Sequence, residues 1–343
     1  MENLRSKAMT SAVRMLAAAL ALSVSATFAE TPLREAVKKS LSYLADGGKE
    51  WMEDHKCASC HHAPMMIWGF HLAKQRGFPV DEDALAKVTA WSLDPKVKWM
   101  PEPTTKKEAW SDKVLPVAAY FTLASDRAEP RPLPAETRAV LVRHFLEKQE
   151  ADGSWLSYVA HPPMLERGET STLYVLLALL GKDGKGEPAD PDWNQRKARA
   201  LEYLAKVTPG DEVQPKLWRL VLRKNLRESA ASLGGSKAED ERAVLGQQHA
   251  DGGWGQTPAL PSDAYATGQA IYFLAAADCH PGADVRSRAI AFLLKTQEQD
   301  GSWVMASRPR TLPKPSPGSQ NLDIIRYAGT AWATMGLVST TAK

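Results

Sequence analysis

The hydrophobic positions of this 343-residue chain keep helical spacing, in blocks separated by Pro- and Gly-rich connectors. Two kinds of block alternate. Residues 170–180, 263–277 and 327–338 are apolar on nearly every face, with Gly and Ala interspersed, which predicts helices surrounded by other helices. Residues 135–149, 195–206 and 284–297 set a charged face against an apolar one, which predicts helices with one side in water. No convincing run of alternating strand positions interrupts them. The pattern therefore predicts an all-α fold with an inner and an outer layer of helices.

A repeat sets their number. Gln149, Gly153 and Trp155 share the pattern Gln-x-x-Asp-Gly-x-Trp with Gln248, Gly252 and Trp254 and with Gln297, Gly301 and Trp303, each set following an amphipathic block. The tryptophans fall two units and then one unit of about fifty residues apart. Hydrophobic pairs at Tyr43-Leu44, Phe145-Leu146, Tyr203-Leu204, Val244-Leu245 and Phe292-Leu293, with a weaker one near Trp91, mark about six helix-pair units. In the motif, Gly frees the backbone to end a helix and turn, and Asp favours that turn. Gln can bond the released backbone groups, while Trp covers the joint with a large apolar face. A motif present at every joint is read as architecture; the alternative is that the tryptophans stack on a sugar or another ligand.

These repeats, followed by Ser262-Asp263-Ala-Tyr-Ala-Thr-Gly and by Thr330-Ala-Trp-Ala-Thr-Met-Gly-Leu, resemble the squalene-hopene cyclase and prenyltransferase α/α-toroid superfamily. The resemblance covers most of residues 35–340. It implies a single (α/α)6 toroid over 30–343, in which parallel inner helices ring one mouth with their N-termini. Class II terpene cyclases of that superfamily protonate their substrate from a D-x-D-D motif at the start of an inner helix. Here the matching segment is Pro261-Ser262-Asp263-Ala264, so one acid remains. An acid that protonates an alkene depends on its neighbours, so the loss weighs against cyclase chemistry. Asp263 is also a good N-cap for the helix it opens. Asp278-Cys279-His280 does not match the zinc-ligand spacing of the protein prenyltransferases, and the chain is about half the length of a two-barrel triterpene cyclase.

Composition changes the picture mainly at the N-terminus. Arg5, Lys7 and Arg14 lead into an apolar run over 15–22 that is too short to span a bilayer, and small residues follow up to Ala29. Residues 1–29 read as a cleaved signal peptide, which makes the protein exported and periplasmic. No later segment is apolar for long enough to be transmembrane. The net charge of +3 falls to about +1 without the leader, and nothing points to nucleic acid. Three cysteines are too few for a disulfide framework.

Two of those cysteines make a motif. Cys57-Ala-Ser-Cys60-His61 has the C-x-x-C-H spacing of c-type haem attachment, in which both thiols bond the porphyrin and His61 ligates the iron. Such attachment follows export, so leader and motif support each other. A zinc site on Cys57, Cys60 and His61 or His62 would need a second cluster, and only Cys279-His280 is on offer; a C-x-x-C dithiol is the other reading.

The repeat gives the motif an address. An inner helix starts at Glu169 after Trp155 and at Asp263 after Trp254, and His61 follows Trp51 at similar spacing. His61 would open the first inner helix, with Pro64 in its first turn, and the haem would share the mouth with Glu169, Asp263 and Asp323. Met65, Met66 and His71 share His61's side of the iron, so Met100, in a Pro-rich loop, is the better candidate sixth ligand. His62, His144, His161, His249 and an open iron are further options.

The expectation is a periplasmic protein with one covalent haem c, doing electron transfer or haem-based redox chemistry with a partner protein or a small-molecule substrate. The alternatives are a class II terpene cyclase-like isomerase acting through Asp263, and a non-catalytic binding or scaffold module.

Overall fold

The computed structural model describes residues 31–55, 61–94, 97, 114–156, 163, 168–208, 210–227, 232–305 and 322–341. The leader, Cys57, Cys60, Met100 and His161 lie outside these residues. Among the described residues there are twelve α-helices and no strand beyond an isolated bridge between Trp254 and Asp263.

Six helices are nearly buried all round: α2 (Ala63–Gln75), α4 (Val114–Arg127), α6 (Glu169–Leu180), α8 (Val213–Leu226), α10 (Ala264–Ala276) and α12 (Leu322–Ser339). Each packs on the next, and α12 packs back on α2, so they form a closed ring. Outside it stand α1 (31–54), α3 (Glu82–Leu93), α5 (Ala135–Glu147), α7 (Trp193–Lys206), α9 (Lys237–Leu245) and α11 (Ala283–Thr296), each with an exposed face. This is an (α/α)6 toroid.

The local sequence explains the helix starts. Pro64 occupies the first turn of α2, where a missing N–H costs nothing. Asp81 caps α3 by accepting from Ala84 N–H, and Ser236 with Glu239 forms a capping box on α9. Six helices around one axis leave their inner faces no contact with water, which is why α6 and α10 are apolar on every side.

The joints lock the outer ring. Gln297 Nε2 donates to Gly301 O in its own turn and to Ala36 O of α1, both at 2.9 Å. Gln149 makes the same pair of bonds to Gly153 O and Arg196 O of α7, and Gln248 to Gly252 O and Val285 O of α11. The Gln297 joint thus ties the last outer helix to the first and closes the ring. Trp155, Trp254 and Trp303 are buried, with their indole N–H groups donating to carbonyls of the preceding outer helix. Their backbone N–H groups donate to Thr172, Thr267 and Thr330 of the following inner helix. Gly301 has φ +87°, and a Cβ there would collide with the backbone of Lys39, so the joint requires glycine on two counts.

Candidate functional site at the barrel mouth

All six inner helices end around one cavity of about 230 Å³. It is lined by Gln75 and Arg76 at the end of α2, Arg127 of α4, Lys182 after α6, Asn225 of α8, Ala276 of α10 and Ser339 of α12. Their N-termini therefore ring the opposite mouth, where His61, Glu169, Asp263 and Asp323 sit.

Asp263 is the N-cap of α10. Its Oδ1 accepts from Ala266 N–H at 2.8 Å, and its Oδ2 accepts from Gln256 Nε2 at 2.9 Å. Its own N–H donates to Trp254 O, which fixes it to the preceding joint. Gln256 is buried, and its carbonyl accepts from Val213 N–H, so one residue links the starts of α8 and α10. Burial pushes the Asp263 carboxyl up to about 6 against the lowering effect of those hydrogen bonds. The capping role is present, and it coexists with a carboxyl tuned toward neutral pH.

Glu169 opens α6 and is ion-paired with Arg219 of α8, which also donates to Leu204 O. Both side chains of the pair are largely buried, so Glu169 holds α6 to α8.

His61 and His62 precede α2 and are buried. The His61 ring meets Trp51 edge-on at 4.7 Å, and its Nδ1 contacts Nδ1 of His62. His62 is sandwiched between Trp51, 4.3 Å away, and Tyr327 of α12, 4.0 Å away. Burial first, then the neighbouring His61 and His55, holds its imidazole well below the usual range, so His62 is neutral at pH 7. A cavity of about 310 Å³ beside this stack joins His62 and His55 to Glu50, Asp54 and Asp323. The mouth thus brings Asp323 to the histidines, whereas Asp263 and Glu169 keep partners of their own.

Below the mouth the lumen is filled with rings. Trp218 of α8 meets Trp68 of α2, Tyr120 of α4, Phe273 of α10 and Trp332 of α12 at centroid distances of 4.4–6.5 Å. Tyr174 of α6 packs on Tyr120, so every inner helix contributes an aromatic ring to one layer. Sequence reasoning missed this layer, together with Arg219 and Gln256.

Similarity to known proteins agrees with this arrangement. Over 190 residues the chain is 28% identical to drimenyl diphosphate synthase of Streptomyces showdoensis, a match taking in 50% of this chain and 34% of that protein. The fold is a terpene-cyclase-like α/α toroid. The chain spans about a third of the length of that curated relative. It is also similar in structure to a possible member of the GH105 family from Salmonella enterica subsp. enterica serovar Paratyphi A. There the TM-score is 0.56 and the identity 13%, with 90% of this chain and 93% of that one covered, a likeness of fold. No family model matches the chain.

These findings correct the expectation of a haem protein devoted to electron transfer or haem-based redox chemistry. The relative by sequence is a synthase named for a terpenoid product, which favours the cyclase alternative. Among the described residues no group of three or more His, Cys, Asp or Glu side chains is placed to hold a metal ion. The physical reason for the misreading is that three fixed residues in five carry little information. His61, the part of the motif that is described, packs its ring into the joint between α1 and α2.

Proposed function

We propose that this chain is a class II terpene cyclase-like isomerase in which Asp263 protonates an isoprenoid alkene at the mouth of the barrel. The observation that carries this reading is the Asp263 carboxyl: it sits at the start of an inner helix, burial has raised it to about 6, and an aromatic lumen lies below. About a tenth of such a group is protonated at pH 7, against about a thousandth for an ordinary aspartate. Similarity to a drimenyl diphosphate synthase supports an isoprenoid diphosphate as substrate.

In this mechanism the alkene π pair takes the Asp263 proton and leaves a tertiary carbocation. A second alkene of the same chain attacks it and closes a ring, and loss of a proton from the cyclised cation ends the reaction. Solvent reprotonates Asp263. No atom is gained or lost overall, so the product is an isomer of the substrate. Gln256 orients the carboxyl through its bond to Oδ2. The packed rings of Trp218, Trp332 and Phe273 close the barrel below the mouth and keep water from reaching the cation from that side.

The leader-like residues 1–29 support export to the periplasm, and no helix among the described residues is long and apolar enough to cross a membrane. The test is incubation of the full chain with farnesyl diphosphate and analysis of dephosphorylated products by gas chromatography and mass spectrometry. Wild type is expected to form a cyclic isomer and Asp263→Asn none. A cyclic product undiminished in Asp263→Asn would remove Asp263 from the mechanism.

A further inference from the structure

The cavity of about 230 Å³ at the mouth opposite Asp263 gathers three positive side chains against one carboxylate. Arg76 stands at the end of α2, Arg127 at the end of α4 and Lys182 after α6, with Asp183 as the single acid. The ring layer forms the floor. Trp68 and Tyr272 line the cavity, are joined by the bond from Trp68 Nε1 to Tyr272 Oη at 2.9 Å, and both meet Trp332. An occupant of this cavity is therefore separated from Asp263 by packed rings.

Helix C-termini attract cations without any ligand, and part of the cluster answers to that. Arg76 Nη1 donates to Thr341 O, and Arg127 Nη1 donates to Leu123 O at 3.0 Å. Each of these bonds takes one nitrogen of a guanidinium that carries five N–H groups. The Arg127 head also lies over the Trp68 ring, 4.9 Å from its centroid, which fixes it at the floor. The helix ends do not account for the lack of counter-charge. Arg138, Arg219, Arg223 and Arg326 each meet a carboxylate. Among the described residues, none of Arg76, Arg127 and Lys182 comes within ion-pair distance of one.

The side chains around the cavity thus carry a net charge of +2. A phosphate group carries close to two negative charges near neutral pH and offers three acceptor oxygens, which suit two guanidinium forks and an ammonium. A monocarboxylate would answer half of that charge. Leu72 and Val221 extend the apolar floor beside Trp68, which gives an organic substituent a surface to rest on.

We infer that this cavity is a second ligand site, separate from the acid at the other mouth, and that it takes a phosphate dianion through Arg76, Arg127 and Lys182. Inorganic phosphate and a phosphate monoester carry the same dianion, and the apolar floor favours the monoester. The site does not depend on Asp263 chemistry, so its test stands whatever the outcome of the cyclisation assay.

The experiment titrates the full chain with phenyl phosphate, inorganic phosphate and phenol by calorimetry at fixed ionic strength. One phenyl phosphate is expected to bind per chain, with phenol at least about tenfold weaker. Inorganic phosphate weaker than phenyl phosphate would identify a monoester as the occupant, and equal affinity would identify the free ion; both support the site. Arg127→Gln should weaken phenyl phosphate by about tenfold or more. Lys182→Gln, on an exposed side chain, should weaken it less and serves if Arg127→Gln does not fold. Lys206→Gln, at the end of α7 and so at the opposite mouth, removes the same charge and should leave binding unchanged. Absence of phenyl phosphate binding, binding unchanged in both cavity variants, or an equal loss in Lys206→Gln overturns the inference.

Discussion

Asp263→Asn separates the two roles of this residue, because asparagine caps a helix about as well as aspartate but does not titrate. Its Oδ1 can still accept from Ala266 N–H, and the Gln256 amide can turn to receive the new NH₂ group. What disappears is the carboxyl that burial holds at about 6 against an ordinary 3.8. The native protein then binds a proton over a pH range in which the unfolded chain has released it. Stability therefore falls as pH rises from about 4 to about 6, and stays lower above. Each pH unit of that interval is worth about 1.4 kcal/mol, so the full penalty at neutral pH is of order 3 kcal/mol. Urea unfolding at pH 7.5 should find Asp263→Asn more stable than wild type by about 1–3 kcal/mol at unchanged m-value, and the gain should vanish at pH 4. A variant less stable at pH 7.5, or a difference that does not move with pH, would refute the claim that burial has tuned this acid.

The other predictions concern the scaffold. Gly301→Ala meets both a positive φ and the Lys39 backbone at the joint that closes the ring, and should cost at least about 3 kcal/mol by urea unfolding. Gly282→Ala, where an added Cβ touches nothing within 4 Å, should change stability by less than about 0.5 kcal/mol in the same assay. Gln297→Glu keeps the shape but turns a carboxylate toward Ala36 O and Gly301 O, and should lower stability by about 1–3 kcal/mol. Burial holds His144 down to about 4, so the unfolded chain takes a proton that the native protein refuses. Its contribution is whole above about 6.5 and is lost as pH falls toward 4, about 3 kcal/mol in all. His144→Leu should flatten the stability profile over that window by this amount, as seen in thermal midpoints measured against pH.

The outer architecture was legible because each joint residue does a local job that its chemistry announces. Gly153, Gly252 and Gly301 turn with positive φ, Gln149, Gln248 and Gln297 bridge two carbonyls, and each Trp closes the gap. The layer count followed from which blocks were apolar all round. That same uniformity hid the site: on α8 and α10 nothing in the pattern distinguishes a residue facing the rings of the other inner helices, such as Trp218 or Phe273, from one facing the outer helices. The Glu169–Arg219 pair spans neighbouring inner helices and exists only once the ring has closed. Asp263 was readable because a helix start is a local event and the family motif falls on it; its raised pKa was not, since it comes from burial supplied by the rest of the barrel. The Cys57 to His61 pattern pointed to a redox function because spacing alone names a chemistry without saying what the barrel around it does.

The central claim is that catalysis starts with a proton delivered by Asp263. It is tested most directly by running the reaction of farnesyl diphosphate in deuterium oxide and reading the isotope content of the cyclic product. Exchange of Asp263 with solvent before each turnover predicts one carbon-bound deuterium per product molecule in wild type, and no product in Asp263→Asn. A cyclic product without deuterium, or the same labelled product from Asp263→Asn, would contradict it.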